Sequence, residues 1–461
     1  MAVRVVVLAA GQGSRMKSDL PKVLSEVAGR PMLDWVLEAA RSVEPVQMVV
    51  VVGHHAEQVK AALPEDVEWC LQAEQLGTGH AAQVALDHIG SVEGDTVLVL
   101  SGDTPHLEGA TIIELIGVRE RTGSAAALLT AFLEVPAGYG RVVRDGSNRV
   151  VGIVEHKDAS TSELAIREIN AGIYAFDGDL LPETLAALKN DNSQSEYYLT
   201  DIIGAFAEQD LLLNGLKADE EQVAGVNSQD HLVRANLIMR RRIAIEWMQC
   251  GVWIQDPGST YISATSQIAR GARIYANVHL EGECTIGADS QIGPDSFLVD
   301  SHVGTGSRVW YSVLREAVVG ENVEVGPFAS LRPGAVLGDH SKAGTFVEMK
   351  NAVVGEGSKV PHLSYMGDVT IGTDTNIGAG TITCNYDGVN KHATEIGDGA
   401  NVGSDTMLVA PVRIGDRSMT GAGSVITKDV ADDALAVERS TQREIPDYSA
   451  RVDARREADE G

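Results

Sequence analysis

A six-residue hydrophobic beat governs the C-terminal half of this chain. Ile268, Ile274, Leu280, Ile286, Ile292 and Leu298 stand six apart. The beat returns at Val319, Val325, Leu331, Leu337, Ala343 and Met349, and again at Ile396, Val402, Leu408, Ile414, Thr420 and Ile426. The residue after each is often small, usually Gly. A helix repeats at 3.6 residues and a half-buried strand at 2, so neither gives this spacing. A hexapeptide repeat reads as a parallel β-helix, in which short strands stack coil on coil. Each corner then needs an aliphatic residue pointing inward and a turn residue that tolerates unusual backbone. The pattern covers most of residues 252–437. It gives an architecture but not a chemistry.

Composition narrows the partners. The chain has 461 residues, enough for two or more cored domains, and a formal net charge of -28. That balance argues against nucleic acid or an anionic membrane as partner, since both call for basic surface. No apolar run approaches the length of a membrane span. The N-terminus opens on an apolar strand and a glycine loop, so no signal peptide is expected and the location is read as cytoplasmic. Cys70, Cys250, Cys284 and Cys384 are widely scattered. That fits reduced thiols better than a disulfide framework or a metal site.

The N-terminal half reads differently. Val3–Leu8, Met48–Val52, Val97–Leu100 and Ala125–Thr130 are apolar runs of strand length, and Met32–Arg41 and Thr78–Ile89 have helical spacing between them. Alternating strands and helices predict an α/β domain with a mostly parallel sheet and its ligands at the C-terminal strand ends. Asp230–Cys250 has no internal Gly or Pro and reads as one long helix, before a β-helix that begins near Asp256-Pro257-Gly258. The charged stretch from Arg443 to Gly461 reads as a disordered tail. The expected division is therefore residues 1–227, a linker helix at 228–250, the β-helix at 251–440 and the tail at 441–461.

The first chemical motif follows the first strand: Leu8-Ala9-Ala10-Gly11-Gln12-Gly13-Ser14-Arg15-Met16, then Leu20-Pro21-Lys22. Glycines let backbone N–H groups wrap phosphates, and Arg15 and Lys22 add positive charge against a triphosphate. Met16 stands where a dinucleotide fingerprint would carry its third glycine, which argues against a Rossmann cofactor site. A lone GxG is also compatible with a tight strand–helix turn bearing two surface cations. The pattern continues with Leu71-Gln72-Ala73-Glu74-Gln75-Leu76-Gly77-Thr78-Gly79-His80, Gly102-Asp103, Gly138-Tyr139-Gly140-Arg141, Val154-Glu155-His156-Lys157, Glu168-Ile169-Asn170 and Gly225-Val226-Asn227. The set resembles the signature of sugar-1-phosphate nucleotidyltransferases. With the hexapeptide repeat, nearly the whole chain resembles the bacterial bifunctional N-acetylglucosamine-1-phosphate uridylyltransferase / glucosamine-1-phosphate N-acetyltransferase family.

The resemblance implies an α/β Rossmann-like nucleotidyltransferase domain followed by a left-handed parallel β-helix. It implies that Leu8, Ala9, Ala10, Gly11, Lys22, Gln72, Gly77, Thr78, Ser101 and Gly102 hold UTP, and that Gly140, Glu155, Asn170 and Asn227 surround the sugar and ribose. Asp103 and Asn227 would hold Mg²⁺, a hard cation that takes few oxygens from protein. A strand-end Asp alone is otherwise most often a helix cap or turn residue. The reaction needs no protein nucleophile. A sugar-1-phosphate oxygen attacks the α-phosphorus of UTP, and Arg15 and Lys22 help neutralise the charge. The chain departs from the family pattern at Ser101, where an aromatic is expected, and at Ala171, where a hydroxyl residue is expected.

A second site lies where the repeat breaks at Cys384-Asn385-Tyr386-Asp387-Gly388-Val389-Asn390-Lys391-His392-Ala393-Thr394-Glu395. Such a break must leave the coil as a loop. Arg332, Lys350 and Lys391 suit a sugar phosphate. His362 is an imidazole candidate for taking a proton from an amine, although a lone histidine on a coil is more often merely solvated. In the resembled family the matching histidine is the general base, Tyr365, Asn376 and Asn385 hold the amino sugar, and Ala379, Asn385, Tyr386, Ser404, Ala422 and Arg439 contact acetyl-CoA. A homotrimer through the β-helix is implied as well. Pro361 replaces an expected small residue. Two other readings stay open on residues alone: a nucleotidyltransferase whose β-helix only assembles it, and a non-catalytic sugar-nucleotide scaffold.

Overall fold

A computed structural model describes residues 1–459 and divides the chain into two compact units, Met1–Ile243 and Ala244–Gly461. The first is an α/β domain around a nine-stranded sheet. Seven strands run in the order Leu213–Lys217, Ala126–Phe132, Glu168–Asp177, Thr96–Ser101, Val3–Leu8, Gln47–Val52 and Glu68–Leu71. All neighbours pair in parallel except Glu168–Asp177, which runs antiparallel to both of its flanking strands. The hairpin of Arg141–Arg144 and Val150–Val154 joins that strand at Ile169.

Alternate residues of each central strand enter two different cores. Val5, Val50 and Leu98 pack on one face, and Val6, Val49 and Val97 on the other. Burial on both faces is why these strands read as continuous apolar runs rather than alternating ones. The helices Met32–Arg41 and Thr78–Ile89 have the boundaries the spacing predicts, and Met32, Leu33, Val36, Leu37 and Ala40 form the buried stripe of the first. The long helix covers Gln229–Gln249, so the division between units falls inside it.

The second unit is a parallel β-helix of stacked coils, begun by the strand Trp253–Ile254. The register gives its period: Ile274 pairs with Ile292, and Ile292 with Val309. Where the six-residue beat lapses, the structure keeps an inward residue with a shorter step. Leu298, Val303, Val309, Leu314 and Val319 are all fully buried, five or six residues apart. Each five-residue step trims a corner, not the core. Ser or Thr two positions ahead of many inward residues is buried too and ties adjacent coils. Ser307 Oγ donates to Gly320 O at 2.8 Å and accepts from Val323 N at 2.9 Å.

The terminal segment differs from its reading as disordered tail. It is helical over Tyr448–Asp459 with no buried residue. Ala, Arg and Glu there are good helix formers, and Asp453 and Arg456 face each other one turn apart. The last two positions of that reading lie outside the described residues.

One coil is long: twenty-five residues separate Ile371 from its partner Ile396, against eighteen between Ile396 and Ile414. The surplus of seven leaves as the loop after Cys384. Deleting Asn385–Lys391 should restore the ordinary period. We expect the deletion to leave the far-ultraviolet circular dichroism spectrum intact and the thermal midpoint within a few degrees. A collapsed midpoint would mean that the loop is part of the coil.

Candidate functional site

The α/β domain gathers its motif residues at the C-terminal strand ends. A cavity of about 520 Å³ is lined by Leu8, Ala9, Ala10, Gly11, Lys22, Gln72, Gly77, Thr78, Ser101 and Asp103, joined by Gln12, Val23, Gln75, Ala81 and Glu196. A larger opening of about 820 Å³, walled by Leu133, Val223 and Leu237, holds none of the residues assigned to a ligand.

Backbone contacts set the cavity's shape. Gly102 N donates to Leu8 O at 3.0 Å, and Gln75 Nε2 donates to Ala10 O at 2.8 Å. The segment around Tyr197 crosses the start of the helix Thr78–Ile89. Tyr197 N donates to Leu76 O at 2.8 Å, and Gly79 N to Tyr197 O at 2.7 Å. A Cβ on Gly77, whose φ is +107°, would lie 2.6 Å from Tyr197 O. The chain crossing by itself requires glycine there. The opening lies beside the N-terminus of that helix, which favours anions.

Beside the cavity, Lys22 Nζ donates to Asp103 Oδ2 at 2.6 Å and to Asn227 Oδ1 at 2.9 Å. Asn227 arrives because Val226 N donates to Asp103 O at 2.9 Å. Two hard oxygens thus converge on one cationic point, a donor set that fits Mg²⁺. No cluster of three or more His, Cys, Asp or Glu able to hold a metal occurs among the described residues.

A third group sits on the hairpin side. Asn170 N donates to Gly140 O at 2.9 Å, Asn170 Nδ2 to the Tyr174 hydroxyl at 2.6 Å, and Thr200 Oγ1 to Glu155 Oε1 at 3.2 Å. Burial pushes the Glu155 carboxyl above its usual range, against the Thr200 bond. Gly140, Glu155 and Asn170 therefore come together. Arg15 does not join them: it is exposed on the turn Ser14–Met16, outside the cavity lining.

In the β-helix the strands Glu348–Val354 and Tyr365–Ile371 stack in register, with Lys350 beside Gly367. A Cβ on Gly367 would lie 2.5 Å from the Tyr365 hydroxyl and 2.8 Å from Asn385 Nδ2, so glycine leaves room for both. Asn385, buried, donates to Asp368 Oδ2 at 2.5 Å, and Asn351 donates to Asp368 Oδ1 at 3.0 Å. Arg332 pairs with Glu348 at 2.8 Å. The Lys391 ammonium lowers Lys350, and Arg332 adds to that. Burial pushes Asp368 up, but Asn351, Asn385, Lys391 and Lys350 outweigh it and leave the carboxyl low. Three cations, Arg332, Lys350 and Lys391, thus gather around two carboxylates, Glu348 and Asp368, a surplus suited to an anion. The loop is internally held: Asp387 accepts from Asn390 N, His392 and Val389 N, which hold it down to about 2.

His362 ends the strand Lys359–His362, and Tyr365 opens the next, so the two flank one corner. Asn376 lies on the same sheet as His362, between Lys359 and Asn401. Further coils stack on that corner. Gly380 N donates to Leu363 O at 3.1 Å, Asp405 N to Ala379 O at 2.7 Å, Gly423 N to Ser404 O at 2.8 Å, and Arg439 Nη1 to Ala422 O at 3.1 Å. Ala379, Ser404, Ala422 and Arg439 form one column along an edge. Tyr386 projects, exposed, from the loop.

Comparison with known proteins bears on both halves. Residues 5–149 match the family described as MobA-like NTP transferase domain, and residues 393–428 the bacterial transferase hexapeptide (six repeats). The bifunctional protein GlmU of Streptomyces avermitilis is 48% identical over 452 residues, 97% of this chain and 94% of that protein. Those of Shouchella clausii and Brevibacillus brevis are each 47% identical, covering 95% and 98% of this chain and 96% and 98% of their own lengths. The chain belongs to the GlmU family. It is accordingly a bifunctional enzyme, an N-acetylglucosamine-1-phosphate uridylyltransferase and a glucosamine-1-phosphate N-acetyltransferase. Gln75, Glu196, Thr200, Gly367 and Asp368 also stand at the two candidate sites of this GlmU-family chain. Gln75 lies in the Leu71–His80 motif, but the others carry no local signal in the sequence, because chain crossings and coil stacking alone bring them in. No helix among the described residues is long and apolar enough to cross a membrane, and the four cysteines are unpaired.

Proposed function

We propose that residues 1–227 carry uridylyl transfer and residues 251–440 acetyl transfer, in the cytoplasm, with UDP-N-acetylglucosamine as the product. The observation that carries the division is that each motif set closes on itself within its own unit. The cavity residues meet Asp103 and Asn227 in one, and in the other Tyr365, across the corner from His362, pairs with Glu348 beside Arg332, with Lys350 and Lys391 nearby.

In the first site the glycine loop and the helix at Thr78 hold the triphosphate, with Gln72 beside the base. Gly140, Glu155 and Asn170 hold the amino sugar. Asp103 and Asn227 would hold Mg²⁺, which supplies charge neutralisation at the phosphates when bound. Lys22 and Arg15 add positive charge, Arg15 only by swinging in from its exposed turn. The sugar-phosphate oxygen bonds to the α-phosphorus as the bond to pyrophosphate breaks, so orientation and electrostatics carry the rate. Asp103→Ala should lower uridylyl transfer by about 10²–10³-fold or more and leave acetyl transfer unchanged in a coupled assay. Near-normal uridylyl transfer would remove Asp103 from the site.

In the second site Arg332, Lys350 and Lys391 hold the phosphate of glucosamine-1-phosphate, and Tyr365, Asn376 and Asn385 its sugar. Acetyl-CoA lies along the edge formed by Ala379, Ser404, Ala422 and Arg439, with Asn385 and Tyr386 at the loop. The amine attacks the thioester carbonyl, the C–S bond breaks, and His362 takes the amine proton that the departing thiolate finally receives. His362→Ala should cut acetyl-transfer kcat by about 10²–10⁴-fold, with KM for acetyl-CoA nearly unchanged and uridylyl transfer intact. An unaltered kcat would send the search for the base elsewhere.

The homotrimer is supported by an apolar column on the same corner. Tyr311, Phe328, Phe346 and Leu363 occupy it in successive coils, 41%, 54%, 59% and 64% exposed. All four have left-handed backbone, φ 47°, 60°, 58° and 44°. Left-handed backbone costs bulky residues about 1–2 kcal/mol each. The Phe328 and Phe346 rings stack at 5.5 Å, yet the column still faces outward. A second copy of the chain is the occupant that removes it from water. Phe346→Asp should shift the species seen by analytical ultracentrifugation from trimer to monomer and reduce acetyl transfer, while uridylyl transfer persists. A trimer unaffected by the change would place the contact on another face.

A further inference from the structure

The Lys22 ammonium lies where a divalent cation would have to sit. Its Nζ is 2.6 Å from Asp103 Oδ2 and 2.9 Å from Asn227 Oδ1, the two oxygens given above to the metal. The Lys22 and Asp103 side chains are only 13% and 15% exposed. The same lysine lines the nucleotide cavity with Gly11 and Gln12. Its stem is packed against the glycine loop: Gly13 has φ +60°, and a Cβ there would lie 2.8 Å from Lys22 Cβ. One ammonium therefore faces two tasks that exclude each other. It cannot hold both oxygens and also pair with a phosphate, and two cations cannot share those oxygens without strong repulsion. A lysine can move between such positions, because its compact charge rides on a flexible four-carbon stem.

Building on the metal reading above, we infer that Lys22 is an exchangeable counter-ion. In the free enzyme it keeps Asp103 and Asn227 converged, so the nearly buried carboxylate never lacks a cation. It leaves them when phosphate oxygens arrive at the glycine loop and offer the ammonium a new partner. Only then are both oxygens open to a divalent cation. Metal and nucleotide are thereby coupled: the free enzyme takes a divalent cation poorly by itself, and the glycine loop reports phosphate to the metal ligands through the Lys22 stem.

The test uses the full chain and Mn²⁺ alone, with free Mn²⁺ counted by electron paramagnetic resonance. Lys22→Met removes the charge at similar length and should bind Mn²⁺ about tenfold more tightly or better than wild type. Lys22→Arg keeps the charge and should stay as weak as wild type. Adding Asp103→Asn to Lys22→Met should abolish the gain. Equal affinity in wild type and Lys22→Met, with loss on Asp103→Asn, overturns the exchange and leaves the metal site standing. Binding indifferent to Asp103→Asn overturns the metal assignment itself. Circular dichroism on each variant separates these outcomes from misfolding, and if Lys22→Met does not fold, Lys22→Gln makes the same comparison.

Discussion

The backbone ladder between successive coils is the constraint on which the C-terminal half depends. Each coil hydrogen-bonds to the next at fixed register, as Ile274 with Ile292 and Ile396 with Ile414. Parallel stacking leaves no freedom to shift one coil without unpairing its neighbours. Change is therefore confined to the corners. Corners can lose a residue, as between Leu298 and Val303, or gain seven, as after Cys384, while the inward positions stay buried. The acetyl-transfer site proposed above makes use of this: the loop, His362 and the column of Ala379, Ser404, Ala422 and Arg439 all belong to corners, and the rigid ladder repeats one corner in coil after coil.

The α/β domain reaches the same rigidity by another route. Its central strands are buried on both faces, so their C-terminal ends are fixed points from which Gly11 and Asp103 depart, while Gln72 follows the edge strand Glu68–Leu71. Close backbone approaches then decide where glycine is needed. Gly102 allows contact with Leu8 O, and Gly77 and Gly79 allow the Tyr197 segment to cross the helix start. The charged centre at Lys22, Asp103 and Asn227 rests on these approaches. Three distant stretches supply it, and a shift in any one would unpair a charge with little access to water.

The two sites use charge in opposite ways. The first pairs its cation closely with oxygens, so charge must move before phosphate can be held. The second keeps a surplus, with Lys350, Lys391 and Arg332 around Asp368 and Glu348, and waits for an anion to balance it. Against a net charge of -28 the Lys350, Lys391 and Arg332 cluster is a local surplus of positive charge.

The sequence by itself determined the architecture and named most of the residues that line the candidate sites. Inward aliphatic spacing is a direct print of the coil, since every corner must fill the same narrow core. Apolar runs with Gly-rich ends print the buried strands in the same way, and local motifs carried Lys22, Gln72, Asp103, Asn227 and His362. What only the tertiary structure decided is which residues meet across long separations. The coils continue through the gap at residues 299–318, because a corner can shorten while the core stays filled, and a strict six-residue count cannot see that. Glu196 and Thr200 join the first domain's site through a chain crossing, and Gly367 and Asp368 join the second through stacking. Helix propensity, not burial, orders Tyr448–Asp459, so a search for apolar periodicity passes over it. The ammonium between Asp103 and Asn227 is tertiary in the same sense: each of its three members is legible alone, but the fold sets the distance that makes them exclude a second cation.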